Sequence, residues 1–165
     1  MVHVIADVGG TNVRLAAVEG SMDAAARALM NGTFERTVSY RWDQIDGLDA
    51  ALNDFRSCLR LPNRFAGLTL AIAGLAFEHQ TVFSLTNRGG TFTREQLAAH
   101  AQTVRILNDF AAQAAIVPLL TDQDLEILKP GVRRPGPCAV LGPGTGLGVA
   151  GLDAQGRPWI GRAHV

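Results

Sequence analysis

The stretch that most constrains the fold is 2–18, in which two apolar strands flank a short loop of glycine and hydrogen-bonding residues. Val2, Val4 and Ile5 are β-branched and read as a buried strand. Gly9 and Gly10 follow, then Thr11 and Asn12, and the chain resumes an apolar strand from Val13 to Val18. Such a pattern predicts a hairpin rather than a strand-to-helix junction. Gly9 and Gly10 allow backbone conformations closed to other residues. They also let main-chain N–H groups approach a bound group with no Cβ in the way, which is how a loop holds phosphate. Neither G-x-x-x-x-G-K-[ST] nor G-x-G-x-x-G occurs at this loop, so it is neither a Walker loop nor a dinucleotide loop. On these residues alone, a turn that uses Gly-Gly only to reverse the chain fits equally well.

With 165 residues, 47% hydrophobic and 18% charged, the chain can fill one core and is not a disordered tail. Fifteen basic and fifteen acidic residues give a formal net charge of zero, so no global field attracts nucleic acid or an anionic membrane surface. Small-molecule partners are expected. Cys58 and Cys138, without a Cys-x-x-Cys, read as core-filling residues rather than a disulfide or metal site. The sequence shows neither a signal-peptide pattern nor an apolar run of roughly 18 residues, which implies a cytoplasmic chain without a membrane span.

Along the chain, 20–28 reads as a surface loop and 32–40 as a third strand, completing an antiparallel meander. Over 44–59, Ile45, Leu48, Leu52, Phe55 and Leu59 recur at helical spacing, and Leu61-Pro62-Asn63 stops that helix. The apolar run 66–73 predicts a strand covered on both faces in a parallel sheet. It ends at Gly74, on the edge where such sheets place ligands. A strand over 81–85 leads into Thr86-Asn87-Arg88-Gly89-Gly90, and Thr93 caps a short helix ending at His100. A brief strand over 104–107 runs into Asn108-Asp109-Phe110, and 111–117 is an Ala-rich helix stopped by Pro118. The polar stretch 120–137 reads as a surface connection. A buried strand over 138–141 then meets a second glycine loop, Gly142-Pro143-Gly144-Thr145-Gly146-Leu147-Gly148, and a strand over 149–152 follows. Residues 156–160 start a new element.

Two glycine loops carrying threonine can clamp a phosphate chain through backbone N–H donors, while Asp109, at a strand end, can take a proton from an attacking hydroxyl. Those are the needs of phosphoryl transfer. Alone, Asp109 is better read as a helix N-cap; between two Gly-Thr loops it reads as a base. With Ala6-Asp7-Val8-Gly9-Gly10-Thr11-Asn12, Ala71-Ile72-Ala73-Gly74, Leu85-Thr86-Asn87, Asn108-Asp109-Phe110 and the second glycine loop in this order, the chain resembles the bacterial glucokinases of the hexokinase and actin-like ATPase superfamily. The resemblance runs from Val2 to about Gly151.

That resemblance implies a ribonuclease H-like (actin-like ATPase) α/β fold with a mixed five-stranded sheet and helices on both faces. Residues 1–152 would form the N-terminal domain, and 153–165 the start of a truncated second one. The implied cofactors are ATP and Mg²⁺, with Ala6, Asp7, Val8, Gly9, Gly10 and Thr11 as the first phosphate loop and Thr145 and Gly146 on the second nucleotide side. Asn87, Asn108, Asp109 and Gly144 would meet the sugar, with Asp109 the catalytic base that deprotonates the 6-hydroxyl of glucose. Family members follow Ala-Gly with proline, where this chain has Leu75, and carry a sugar-gripping Glu-Gly-Gly-His, where this chain reads Gly161-Arg162-Ala163-His164. Weak ligand binding and little turnover are therefore expected of these 165 residues alone. Pairing of two copies is a further expectation, and a non-catalytic sugar-binding or interaction module on the same fold is the alternative.

Overall fold

The computed structural model describes residues 1–20, 36–77, 79–85, 90–132, 134–143 and 147–161. They fall into two compact units, Met1–Asp109 and Phe110–Val165.

The first unit contains β1 (Val2–Val8), β2 (Asn12–Glu19), β3 (Thr37–Arg41), α1 (Gly47–Cys58), β4 (Phe65–Ile72), β5 (Val82–Ser84), β6 (Thr91–Thr93), α2 (Arg94–His100) and β7 (Ala101–Asn108). Its five-stranded sheet has the order β3-β2-β1-β4-β7. The meander β1-β2-β3 is antiparallel, whereas β1 pairs with β4, and β4 with β7, in parallel. This is the mixed sheet implied by the resemblance. Alternation sets its register: Val4, Ala6 and Val8 lie opposite Ala17, Leu15 and Val13 on one side and Leu68, Leu70 and Ile72 on the other. All nine side chains are buried in one apolar cluster. A one-residue slip would turn a whole strand's apolar set to the wrong face.

Both helices of this unit contribute to the same cluster. Leu48, Ala51, Leu52 and Phe55 form the buried stripe of α1, at the spacing expected from the sequence, and Leu97 is that of α2. Leu52 and Phe55 are fully buried, and each such side chain stabilises the fold by about 1.5–3 kcal/mol relative to exposure. Thr93 caps α2 as expected, with Gln96 completing a reciprocal capping box. His100 Nε2 meets Asp49 Oδ1 at 2.6 Å, joining the end of α2 to the first turn of α1.

The second unit holds α3 (Asp109–Ile116), whose first residue belongs to the first unit, a 3₁₀ turn (Val117–Leu119), β8 (Cys138–Pro143), β9 (Leu147–Leu152) and β10 (Pro158–Ile160). The three strands form an antiparallel sheet in the order β10-β9-β8. Ala114, Ala150 and Leu152 are its buried centre, with Phe110, Val117, Cys138 and Val140 packed against them.

Several local expectations are corrected. The strand expected over 104–107 spans Ala101–Asn108, because the chain leaves α2 directly into the ladder with β4. The strand expected to be buried over 138–141 alternates between half-buried and exposed residues, because only the face carrying Cys138 and Val140 packs on the apolar cluster of this unit. Cys58 is exposed at the end of α1, its thiol 3.4 Å from Asp54 Oδ2, while Cys138 is half-buried. Of the new element expected over 156–160, Pro158–Ile160 forms a third strand of the β8-β9 sheet. The proposed loop over 20–28 falls, from residue 21 onward, outside the described residues.

Tyr40, on β3, donates to Asp54 Oδ2 on α1 at 2.8 Å. Burial first, and then the hydrogen bond and negative charge of Asp54, push its phenol above the ordinary value. The folded state thus prefers the protonated phenol. That contribution to stability is complete below about pH 10 and is lost as pH rises above it. Tyr40 is the sole tyrosine, so absorbance titration reads it alone: tyrosinate should form at higher pH in the folded chain than in urea, and Asp54→Asn should reduce the difference.

Candidate active site

The parallel strands bring three sequence-distant motifs to one edge of the first unit. Val8, the last residue of β1, is in register with Ile72, the last of β4, and Ile72 is in register with Asn108, the last of β7. Gly9, Ala73-Gly74 and Asp109 therefore leave the sheet side by side, across two strand spacings or about 10 Å. This is the carboxyl edge of a parallel sheet, where ligands bind in open α/β folds.

The first glycine loop turns its carbonyls onto protein donors. Ala73 N–H donates to Val8 O at 2.9 Å, Gly9 N–H to Asn12 O at 2.9 Å, and Trp42 N–H to Thr11 O at 3.1 Å. The indole Nε1 of Trp42 donates to Gly9 O at 2.7 Å. Among the described residues, no acceptor meets the N–H of Gly10 or Thr11. Neither Gly9 nor Gly10 has a positive φ, so the left-handed freedom expected of this pair is not what the turn uses. A Cβ on Gly9 would lie 3.4 Å from Asn12 O, an ordinary contact. What remains is the second reason to place glycine here, an open approach to backbone donors. Such a loop fits an anion.

Asp7 and Thr11 are exposed, and Asp7 Oδ2 lies 3.5 Å from Arg14 Nη1, its cross-strand partner in register. Ala6 and Val8 are core side chains, so only their backbone can face a ligand.

Asn108 links the edge together. Its Nδ2 donates to Gly74 O on the neighbouring chain segment and to Asp109 Oδ1, both at 2.9 Å. The Asp109 carboxylate is thereby oriented at the start of α3, where the helix N-terminus favours negative charge. Gly74 is required by a close approach, because a Cβ there would fall on the backbone carbonyl of Ser84.

In the second unit, the β8-β9 ladder closes at Pro143 opposite Leu147. This confirms a hairpin whose connecting residues, Gly144, Thr145 and Gly146, lie outside the described residues, as does Asn87. Gly142 and Gly148, paired across its base, leave room for the ring of Phe110, which a Cβ on either would overlap. The aromatic residue after Asp109 is thus the one that packs on the second glycine hairpin.

The sequence profile of the glucokinase family matches residues 4–163. The chain belongs to the glucokinase family. It is 31% identical over 163 residues to the glucokinase of Photorhabdus laumondii, covering 95% of this chain and 46% of that one. With the glucokinase of Caulobacter sp. strain K31 it shares 33% over 152 residues, 90% of this chain and 43% of that one. It therefore spans less than half the length of these curated glucokinases. Its fold matches the crystal structure of a glucokinase from an Antarctic psychrotroph with a TM-score of 0.73 at 28% identity, over 92% of this chain and 46% of that one. A Balamuthia mandrillaris glucokinase in complex with glucose matches in fold, with a TM-score of 0.65 at 20% identity over 99% of this chain and 47% of that one.

Trp42 was not singled out in the sequence, and Ala73 was named only as part of a motif, without its role at this edge. Trp42 lies far from the loop in sequence, and its only sequence signal is a tryptophan just beyond a predicted strand. Ala73 acts through its backbone, which no side-chain pattern announces.

Replacing Gly74 by alanine should cost about 1–3 kcal/mol, since its methyl meets backbone that cannot step aside. Gly131→Ala, at a position with open space, should change stability by no more than about 0.5 kcal/mol, both variants being compared with the unchanged chain by urea denaturation.

Proposed function

We propose that this chain carries the phosphate-binding and proton-abstracting part of a sugar kinase that transfers the γ-phosphoryl group of ATP to the 6-hydroxyl of glucose. The observation that supports this reading is the register of Val8, Ile72 and Asn108, by which the first glycine loop and the Asn108-Asp109 pair leave the sheet at one edge, two strands apart. Family membership supports it. The coverage of less than half of the curated relatives makes the whole reaction a proposal for this chain.

In this reading the N–H groups of Gly10 and Thr11 hold the phosphate chain, and Thr145 and Gly146 serve the second nucleotide side. Asp7 is the exposed carboxylate on this stretch, suited to the water shell of a Mg²⁺ that keeps most of its ligands from water and phosphate. When bound, Mg-ATP supplies the transferable phosphoryl group and neutralises its developing charge. Asn108, whose Nδ2 reaches Gly74 O and Asp109 Oδ1, meets a sugar hydroxyl in this reading. Asn87 and Gly144 complete the sugar contacts. Asp109 accepts the proton of the 6-hydroxyl as its oxygen bonds to the γ-phosphorus. The bond to the β,γ-bridging oxygen breaks, and ADP leaves. A carboxylate suffices as base because the proton departs late in a loose transition state.

The test is a coupled glucose-6-phosphate assay on this chain and on Asp109→Asn. Turnover of the chain alone should fall below the ordinary range of about 1–10³ per second, since closure of a second domain completes such sites. Asp109→Asn should lower whatever rate remains by about 10²–10⁴-fold while leaving Mg-ATP binding unchanged. Equal rates in the two would overturn the assignment of the base.

Gly9 separates turn chemistry from phosphate chemistry. Because its φ is ordinary and a Cβ there would make only an ordinary contact, Gly9→Ala should retain stability to within about 1 kcal/mol. Calorimetric titration should nonetheless show weaker Mg-ATP binding, by about tenfold or more, as the methyl enters the approach to the donors.

A further inference from the structure

Trp42 is 5% exposed, and it holds the first glycine loop by two hydrogen bonds. Its backbone N–H reaches Thr11 O at 3.1 Å, and its indole Nε1 reaches Gly9 O at 2.7 Å. The second bond matters because of the peptide it holds. The unit between Gly9 and Gly10 has glycine on both sides, so side-chain sterics do little to stop it from rotating about its flanking torsions. In a planar trans peptide the C=O of Gly9 and the N–H of Gly10 point in opposite directions. Holding the carbonyl inward therefore aims the N–H outward; a flip would put a carbonyl oxygen where a phosphate must sit.

We infer that Trp42 is a positioning residue for phosphate binding, its indole N–H locking the Gly9–Gly10 peptide with the Gly10 N–H turned out of the loop. This rests on the reading of Gly9–Thr11 as a phosphate loop. Phe55 and Leu52, buried in the same cluster, make no comparable polar link to the loop. Trp42 therefore combines a packing role with a directional one, and only the directional role depends on the indole nitrogen.

The experiment uses the full 165-residue chain with Trp42 unchanged, as Trp42→Phe, and with β-(3-benzothienyl)alanine placed at position 42, which keeps the two-ring shape and replaces N–H by sulfur. Each is titrated calorimetrically with Mg-ATP and with Mg-tripolyphosphate, and ¹⁵N relaxation dispersion is recorded at Gly10. The expected result is a three- to tenfold loss of affinity for both probes in both variants, the loss of about one hydrogen bond. It should come with microsecond-to-millisecond exchange at Gly10 that the unchanged chain lacks. The benzothienyl chain excludes a packing explanation: if it binds as tightly as the unchanged chain and shows no exchange at Gly10, the inference is overturned. If the unchanged chain binds neither probe, the phosphate reading of the loop fails and the inference fails with it. Weaker binding in the variants without exchange at Gly10 would overturn the peptide-locking role while leaving the phosphate reading intact.

Discussion

The ladder that joins β4 to β1 on one side and to β7 on the other places every other feature of the edge. Parallel pairing makes the three strands run the same way, so their carboxyl ends emerge together. The register is set by the core: Ala6 lies between Leu15 and Leu70, and Val8 between Val13 and Ile72, so no strand can slide without exposing its apolar set. The N–H of Ala73 extends the ladder one step past Ile72, onto Val8 O, and ties the root of the glycine loop to the neighbouring strand. The chemistry at this edge thus depends on hydrophobic burial beneath it.

Glycine serves this chain mainly by letting other groups come close. Gly74 yields to the carbonyl of Ser84, Gly142 and Gly148 to the ring of Phe110, and Gly151 to Trp159 and the carbonyl of Cys138. None of these four positions has a positive φ. The β-turn before β10 is the contrasting case: Gly156 has φ 76°, and Asp153 accepts the N–H groups of Gln155 and Arg157, which holds its carboxyl below the usual range. Gly9 and Gly10 share the ordinary φ of the first group, and a Cβ on Gly9 would make only an ordinary contact with Asn12 O. Their conformational freedom is a liability that the Trp42 indole offsets, and their missing side chains are the asset.

Much of the fold was legible because long periodic segments report their own environment. The β-branched Val2, Val4 and Ile5 and the apolar stretch 13–18 identified β1 and β2, a continuous apolar run identified β4 as an interior parallel strand, and the spacing of Leu48, Leu52 and Phe55 identified α1. The short apolar segment at Cys138 misled, since a run of Ala, Val and Leu reads as buried whether or not a second layer covers it. Cys58 misled because a thiol carries no mark of which helix face it occupies once the helix ends nearby. Of the candidate site, the sequence singled out Asp7, Gly9, Gly10, Asn108 and Asp109, which lie at one sheet edge, whereas Trp42 was invisible until β3 was paired with β2.

By itself the sequence determined the identity of the elements and the chemistry they could carry: a Gly-Gly-Thr hairpin, an apolar strand ending in Gly74, and an Asn-Asp pair between a strand and a helix. Those are local facts, written in propensity, periodicity and turn chemistry. Only the tertiary structure decided that the three ends share one edge, that the Asn108 amide spans from Gly74 to Asp109, and that an indole from beyond β3 holds the Gly9 carbonyl. Each of these is a hydrogen bond between segments far apart in the chain. Its geometry follows from strand order and register, which arise from burying the whole apolar face at once rather than from any one stretch of residues.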